Sequence, residues 1–372
     1  MNSVTKQYGV FGRLYHGLTT INFVGRKKVW FTLSAIVIVL GLGSLSVRGF
    51  NLGIDFKGGS SFEVLAPHTS VADMTNAVTK AGLVDPTVTK LGKDTYQVTA
   101  DLNGLSSAKQ GSVTNTVVAA MAKVAGVNPT QVSTSTIGPS WGSGVTNKAL
   151  QALIVFFIAV GIYISFRFEF KMAVAAFAAM LHDLLVVVGI YSLLNFQITP
   201  DTVIAVLTIL GYSLYDTVVV FDRVRDNSSG ILNTGDVSYG DMVNLSMNQT
   251  LARSINTSLV AILPVLSVLV VGAYILGATT LKTYGLALFV GLLSGAYSSI
   301  FIASPLLAVM KEREPRFRDL KAKVALREKR NLSAGSVAKE SFNSEAASAG
   351  APLSASAQRG VIAARARKQK RR

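Results

Sequence analysis

"GYSLYDTVVVFDRVRDN", residues 211–227, puts a carboxylate where hydrocarbon is expected. Asp216 sits inside a run from 202 to 221 that is otherwise uncharged and continues as Thr217-Val218-Val219-Val220-Phe221. Asp222, beside Arg223 and Arg225, marks a water boundary. A run of this length and composition reads as a membrane-crossing helix. An ionisable group inside one belongs against protein or a wet cavity, not against lipid.

Five further runs share this character: 29–47, 149–166, 172–195, 255–276 and 284–310. With 202–221 they make six spans, and half of all residues are hydrophobic. The first run is too long for a signal peptide, and the "SLSVRGF" after it has no small-x-small cleavage pattern, so it is an anchor. Residues 1–28 carry Lys6, Arg13, Arg26, Lys27 and Lys28 with no acid, which puts the N-terminus in the cytoplasm. Short loops at 167–171 and after 222 agree, and an even span count returns the C-terminus to the same side. The formal charge of +16 is concentrated in residues 311–372, which hold 17 Lys/Arg and 6 Asp/Glu. The rest of the chain therefore lacks the character of a nucleic-acid binder, and the basic tail suits anionic lipid, RNA such as the ribosome's, or a partner's acidic face. There is no cysteine, so disulfide and thiolate chemistry are excluded.

The expected organisation is a cytoplasmic segment 1–28, a first span 29–48, an extracytoplasmic α+β domain 49–146, a five-helix remainder 147–310 and a basic, largely disordered tail 311–372. The outward segment reads strand, helix, strand, strand, helix, strand, from "SSFEVLA" (60–66) to "QVSTSTIG" (131–138). That order is the ferredoxin-like split βαβ unit. The fold class is thus α-helical membrane protein with a small α+β domain between its first two helices. The loop 222–254 reads as polar.

Thr208, Tyr212 and Asp216 recur every fourth residue, with Tyr215 adjacent, and so form a polar stripe on the fourth span. A carboxylate shielded from water is poised to take up and release protons; a permanently protonated, merely structural Asp is the bland alternative. Arg253, read at the start of the fifth span, either snorkels to the surface or pairs with Asp216. His182 and Asp183 lie mid-helix in the third span. Neighbours on a helix point about 100° apart, so they are not expected to pair, and each joins either a polar path or a helix–helix hydrogen bond. Gly291 and Gly295, with Ser294 and Ser298 nearby, have the small-xxx-small spacing of close helix packing. Pro264 is expected to kink the fifth span. Gly53, Asp55, Phe56, Gly58 and Gly59 fall at the outer boundary of the first span, the glycines suiting a turn before a strand. No phosphate loop, metal-ligand spacing or nucleophile–base motif is present, so no enzyme activity, cofactor or metal is expected.

The blocks "GIDFKGG" (53–59), "IGPSWG" (137–142), "LHD" (181–183), "GYSLYDTVVVFDRVRDN" and "NQTLARSINTS" (248–258) resemble, in order, the SecF branch of the SecD/SecF export-membrane family. The resemblance spans roughly residues 25–310. It implies an RND-type half-unit in the bacterial plasma membrane that pairs with SecD and uses the proton-motive force to promote preprotein export. The Sec channel SecYEG and unfolded preprotein are implied partners, with YajC a further candidate. The family's functional aspartate falls on Asp216 and its assisting arginine on Arg253; many relatives carry Asn where Tyr215 stands here. Competing readings are a small-molecule or lipid exporter of the RND type, a non-transporting scaffold of the translocon, and an anchor for a nucleic-acid-binding tail.

Overall fold

The computed structural model describes residues 9–330 except 16–18, 92–93, 103, 230, 232–234, 236, 276–278 and 328. Among these, six helices are long and apolar enough to cross a membrane, which makes this a multi-pass membrane protein. After a short α1 (Val10–Tyr15), the first span is α2 (Lys27–Arg48). The second to fourth are α6 (Pro139–Arg167), α7 (Phe170–Leu193) and α8 (Pro200–Ser228). The fifth is α9 (Tyr239–Ser267), which runs through Pro264 and changes to π winding over Val268–Ile275. The sixth is α10 (Thr279–Ser298), a π turn (Ser299–Ala303) and α11 (Ser304–Glu312).

Between α2 and α6 stands the α+β domain: α3 (Ile54–Lys57), β1 (Gly59–Leu65), α4 (Val71–Lys80), β2 (Thr87–Leu91), β3 (Thr95–Ala100), α5 (Ser107–Ala125) and β4 (Ser133–Ile137). The sheet is antiparallel with order β2-β3-β1-β4, the ferredoxin-like arrangement. Alternation decides which face is which. Phe62, Val64, Tyr96 and Val98 point to one side and meet Met74 and Val78 of α4 and Val117 and Met121 of α5. Ser61, Glu63, Gln97 and Ser135 line a cavity of about 320 Å³ on the other side. Local chemistry starts and stops the helices. Ser70 and Asp73 form a capping box on α4, and Gly126, at φ 69°, ends α5.

Two expectations fail on the face opposite this domain. The stretch 222–254 is mostly helix: α8 persists to Ser228 and α9 begins at Tyr239, because their polar faces cover one another. Arg223 Nε donates to Gln249 Oε1 (2.7 Å) and Asn227 Nδ2 to Ser246 Oγ (2.8 Å). Nor is the tail disordered from residue 311. Residues 315–327 form α12, whose Phe317, Leu320 and Val324 are buried and whose Phe317 ring packs on Tyr239 at 4.7 Å. Apolar residues at helical spacing hold it against the base of the bundle, where Glu314 meets Lys171 (3.1 Å) and Arg316 (2.8 Å). The rest of the expected tail, 331–372, lies outside the described residues. A strap formed by residues 19–24 runs along α9. Asn244 Oδ1 accepts from the Phe23 amide (2.7 Å), and Asn248 bonds both backbone groups of Ile21 (2.9 Å each).

Candidate functional site

Backbone-to-backbone contact sets the helix spacing. A Cβ on Gly189 of α7 would lie 2.9 Å from Gly41 Cα of α2. On α10, a Cβ at Gly291 would strike Ile209, and one at Gly295 would lie 2.9 Å from Ser213 Cβ of α8. Small residues at these crossings let side chains of neighbouring helices reach each other, as the 291/295 spacing anticipates.

The groups brought together are polar. Asp183 has no exposed surface and sits where α7, α8 and the sixth span meet. Its Oδ2 accepts from Ser213 Oγ of α8 (2.6 Å) and Ser298 Oγ (2.7 Å), and its Oδ1 from Ser294 Oγ (2.7 Å). His182 Nδ1 lies 3.2 Å from the same Oδ1. The expectation that His182 and Asp183 would not pair is therefore wrong. The ring atoms reach back beyond the 100° that separates the two Cα–Cβ directions. Next to this cluster, Asp216 is 3% exposed, and its Oδ2 accepts a hydrogen bond from Ser299 Oγ. Ser298 and Ser299 are consecutive yet both have no exposed surface, one on each carboxylate, at the start of the π turn. Such turns are over-represented at functional sites.

The expected stripe on α8 divides. Asp216 is buried and Tyr212 has its hydroxyl buried, without a partner among the described residues. Thr208 is exposed and bonds back to Ile204 O (2.8 Å), and Tyr215 is 53% exposed. The true buried polar row is Ser213, Asp216 and Thr217, at spacings of three and four. Every-fourth spacing drifts by about 40° per step on a 3.6-residue helix, so Thr208 has turned outward by two turns from Asp216. Of the two readings of Arg253, surface or pairing with Asp216, the position fits the surface one. It lies in the interior of α9, exposed, and no hydrogen bond or ion pair joins it to Asp216. The serines are what residue patterns undervalued: Ser213 is three residues before Asp216, and Ser299 differs from any packing serine only through its π turn.

At the domain face, the two glycine-bearing blocks meet. A Cβ on Gly142 would lie 2.7 Å from Phe56 O and 2.9 Å from Gly58 N, and one on Gly59 2.8 Å from Ala100 O. Gly58 and Gly59 have φ of 76° and 122°, conformations that favour glycine. Gly53 N donates to Ile198 O and Ile198 N to Asn51 O, both at 2.8 Å, which ties this motif to the turn between α7 and α8. Phe56 is buried beneath it. Burial pushes the Asp55 carboxyl above the usual range; its backbone hydrogen bond opposes this and the nearby Asp201 charge adds to it.

Six spans with one α+β domain after the first, packed around a buried carboxylate cluster, define an RND-type membrane half. A family profile described as "Protein export membrane protein SecD/SecF, C-terminal" matches residues 116–313, and the "SecD/SecF GG Motif" matches residues 43–66. The chain is 40% identical to the "Protein translocase subunit SecF" of Streptomyces coelicolor, over 91% of this chain and 90% of that protein. It is 34% identical to the "Protein translocase subunit SecDF" of Bacillus subtilis, over 79% of this chain and 38% of that one. The crystal structure of SecDF from Thermus thermophilus, titled a translocon-associated membrane protein, superposes with a TM-score of 0.68 at 30% identity, over 79% of this chain and 39% of that chain. The chain belongs to the SecD/SecF family of protein-export membrane proteins.

Proposed function

We propose that the protein is the SecF-type half of a SecD–SecF unit that uses the proton-motive force to promote preprotein export, with Asp216 as the group that carries the proton. The relatives support the partner: in the SecDF proteins this half is fused to additional sequence of greater length. The observation that carries the mechanism is a carboxylate 3% exposed, inside an apolar span, bonded across a helix interface to a single serine hydroxyl. Asp216 thus keeps capacity to gain or lose a proton, and its contact lies on a π turn that can rewind. A proton crossing 100 mV releases about 2.3 kcal/mol, and each pH unit of gradient adds roughly 1.4 kcal/mol. That biases a bundle between two packings, and several protons are needed to drive it fully across. Arg253 lies outside the cluster, so its coupling to Asp216 requires α9 to shift against α8.

The site of action is the bacterial plasma membrane, with both termini cytoplasmic and the α+β domain outside. SecYEG, YajC and the unfolded preprotein are the remaining partners, and the basic tail meets anionic lipid or the ribosome. The test is Asp216→Asn in the chain co-expressed with SecD. Association with SecD persists and gradient-driven export in proteoliposomes is lost. Normal export by that variant refutes the assignment.

A further inference from the structure

We propose that His182 is a second proton-carrying group of this bundle, with Asp183 as its fixed counter-ion. The inference rests on the proton-driven reading above and adds to it a site in the third span.

Three serine hydroxyls and one imidazole nitrogen converge on the two oxygens of Asp183. An ionised carboxylate offers about four lone-pair positions and no donor, so these four groups fill it. Facing a pure acceptor, His182 Nδ1 must carry a hydrogen; the tautomer is assigned from this partner. In the neutral ring Nε2 is then a bare acceptor. Nε2 is buried and has no hydrogen-bond partner among the described residues. A buried acceptor left unpaired is costly, and one placed beside a carboxylate is the natural landing point for a proton, because the imidazolium formed is already paired.

A cavity borders this ring. His182 is 8% exposed and lines a cavity of about 330 Å³ between α2, α7 and the sixth span, shared with Ser34, Ser294 and Tyr297. Its ring stacks on Tyr297 at 6.1 Å, and Tyr297 Oη accepts from Ser34 Oγ (3.3 Å) while donating to Trp30 O (3.0 Å). The ionisable groups around His182 are Asp183 on its own helix and Tyr297 on the sixth span, with Asp216 on α8 three residues after the Ser213 that bonds Asp183; α2 contributes only Ser34 and apolar side chains here. The proton arrives on Nε2 from cavity water and leaves by the same atom, so one N–H bond forms and breaks and nothing else. Both carboxylates bear on the interface of α8 with the sixth span: Asp183 accepts from Ser213 and Ser298, and Asp216, three residues after Ser213, accepts from Ser299. Charging His182 and protonating Asp216 therefore act on one packing interface.

The chain has three histidines, so 15N-histidine spectra of the SecD complex in nanodiscs are assignable by substitution. One ring, absent from the spectrum of His182→Gln, shows the Nδ1–H tautomer and becomes imidazolium when the sample is acidified. His182→Gln and His182→Asn bind SecD and lose most gradient-driven export. An Nε2–H tautomer, a ring that stays neutral on acidification, or full export by either variant overturns the proposal. If Asp216→Asn proves silent while the His182 results hold, it is the Asp216 assignment that fails.

Discussion

Asp183→Leu is the sharpest probe of how the bundle is held. Leucine keeps the branching of aspartate but ends in larger methyl groups, so the acceptors vanish and any overpacking adds to the cost. Three interhelical hydrogen bonds are lost, one to α8 and two to the sixth span. In membrane proteins such bonds average about 0.6 kcal/mol and reach about 1.7, so the three together are worth about 2–5 kcal/mol. Removing a buried charge returns part of its desolvation cost, which favours the lower end. The hydroxyls of Ser213, Ser294 and Ser298 are left without their acceptor, and that is where the loss resides. Unfolding in mixed micelles measures it. Replacing the three serines with alanine in the Asp183→Leu background then recovers part of the deficit, since the three hydroxyls are gone and His182 Nδ1 is the one former partner of Asp183 left unmet. An Asp183→Leu protein within about 0.5 kcal/mol of the native value, or a quadruple variant no better than the single one, refutes the clamp.

Gly189→Val drives a side chain into Gly41 of α2, backbone against backbone, and costs about 1–3 kcal/mol in the same micelle assay; an unchanged value means α2 and α7 do not cross there. At the base of the bundle, burial raises the Glu314 carboxyl, but hydrogen bonds from Lys171 and Arg316 and the charge of Lys311 outweigh it and hold the group below the usual carboxylate range. A depressed carboxyl contributes stability that is fully present above its unfolded value and is lost as pH falls through the folded one. Glu314→Gln accordingly lowers the unfolding temperature at pH 7, and thermal scans show the gap to the native protein closing as the solution is made acidic.

Much of this architecture was legible in order along the chain. Hydropathy marked all six spans, and period-two and helical patterns marked the four strands and two long helices of the outward domain but not the short α3, since such patterns are properties of neighbouring residues. The boundaries that failed, 222–254 and 311–327, are polar helices whose cover comes from distant partners such as Gln249 and Tyr239. Asp216 was visible because a lone charge in hydrocarbon stands out. Arg253 stayed open between two readings because a basic residue near a span end says nothing of the direction it faces.

Local sequence therefore determined how many helices span, which stretches the strands and long helices of the outward domain claim, and that two carboxylates lie at membrane depth. The tertiary structure decided which carboxylate is saturated and which is nearly free. Asp183 finds its hydroxyls 30, 111 and 115 positions away. Those meetings depend on glycine crossings that fix helix separation and on a π turn that points Ser298 and Ser299 inward together. A helix pattern specifies a face; only packing against other helices specifies what that face touches.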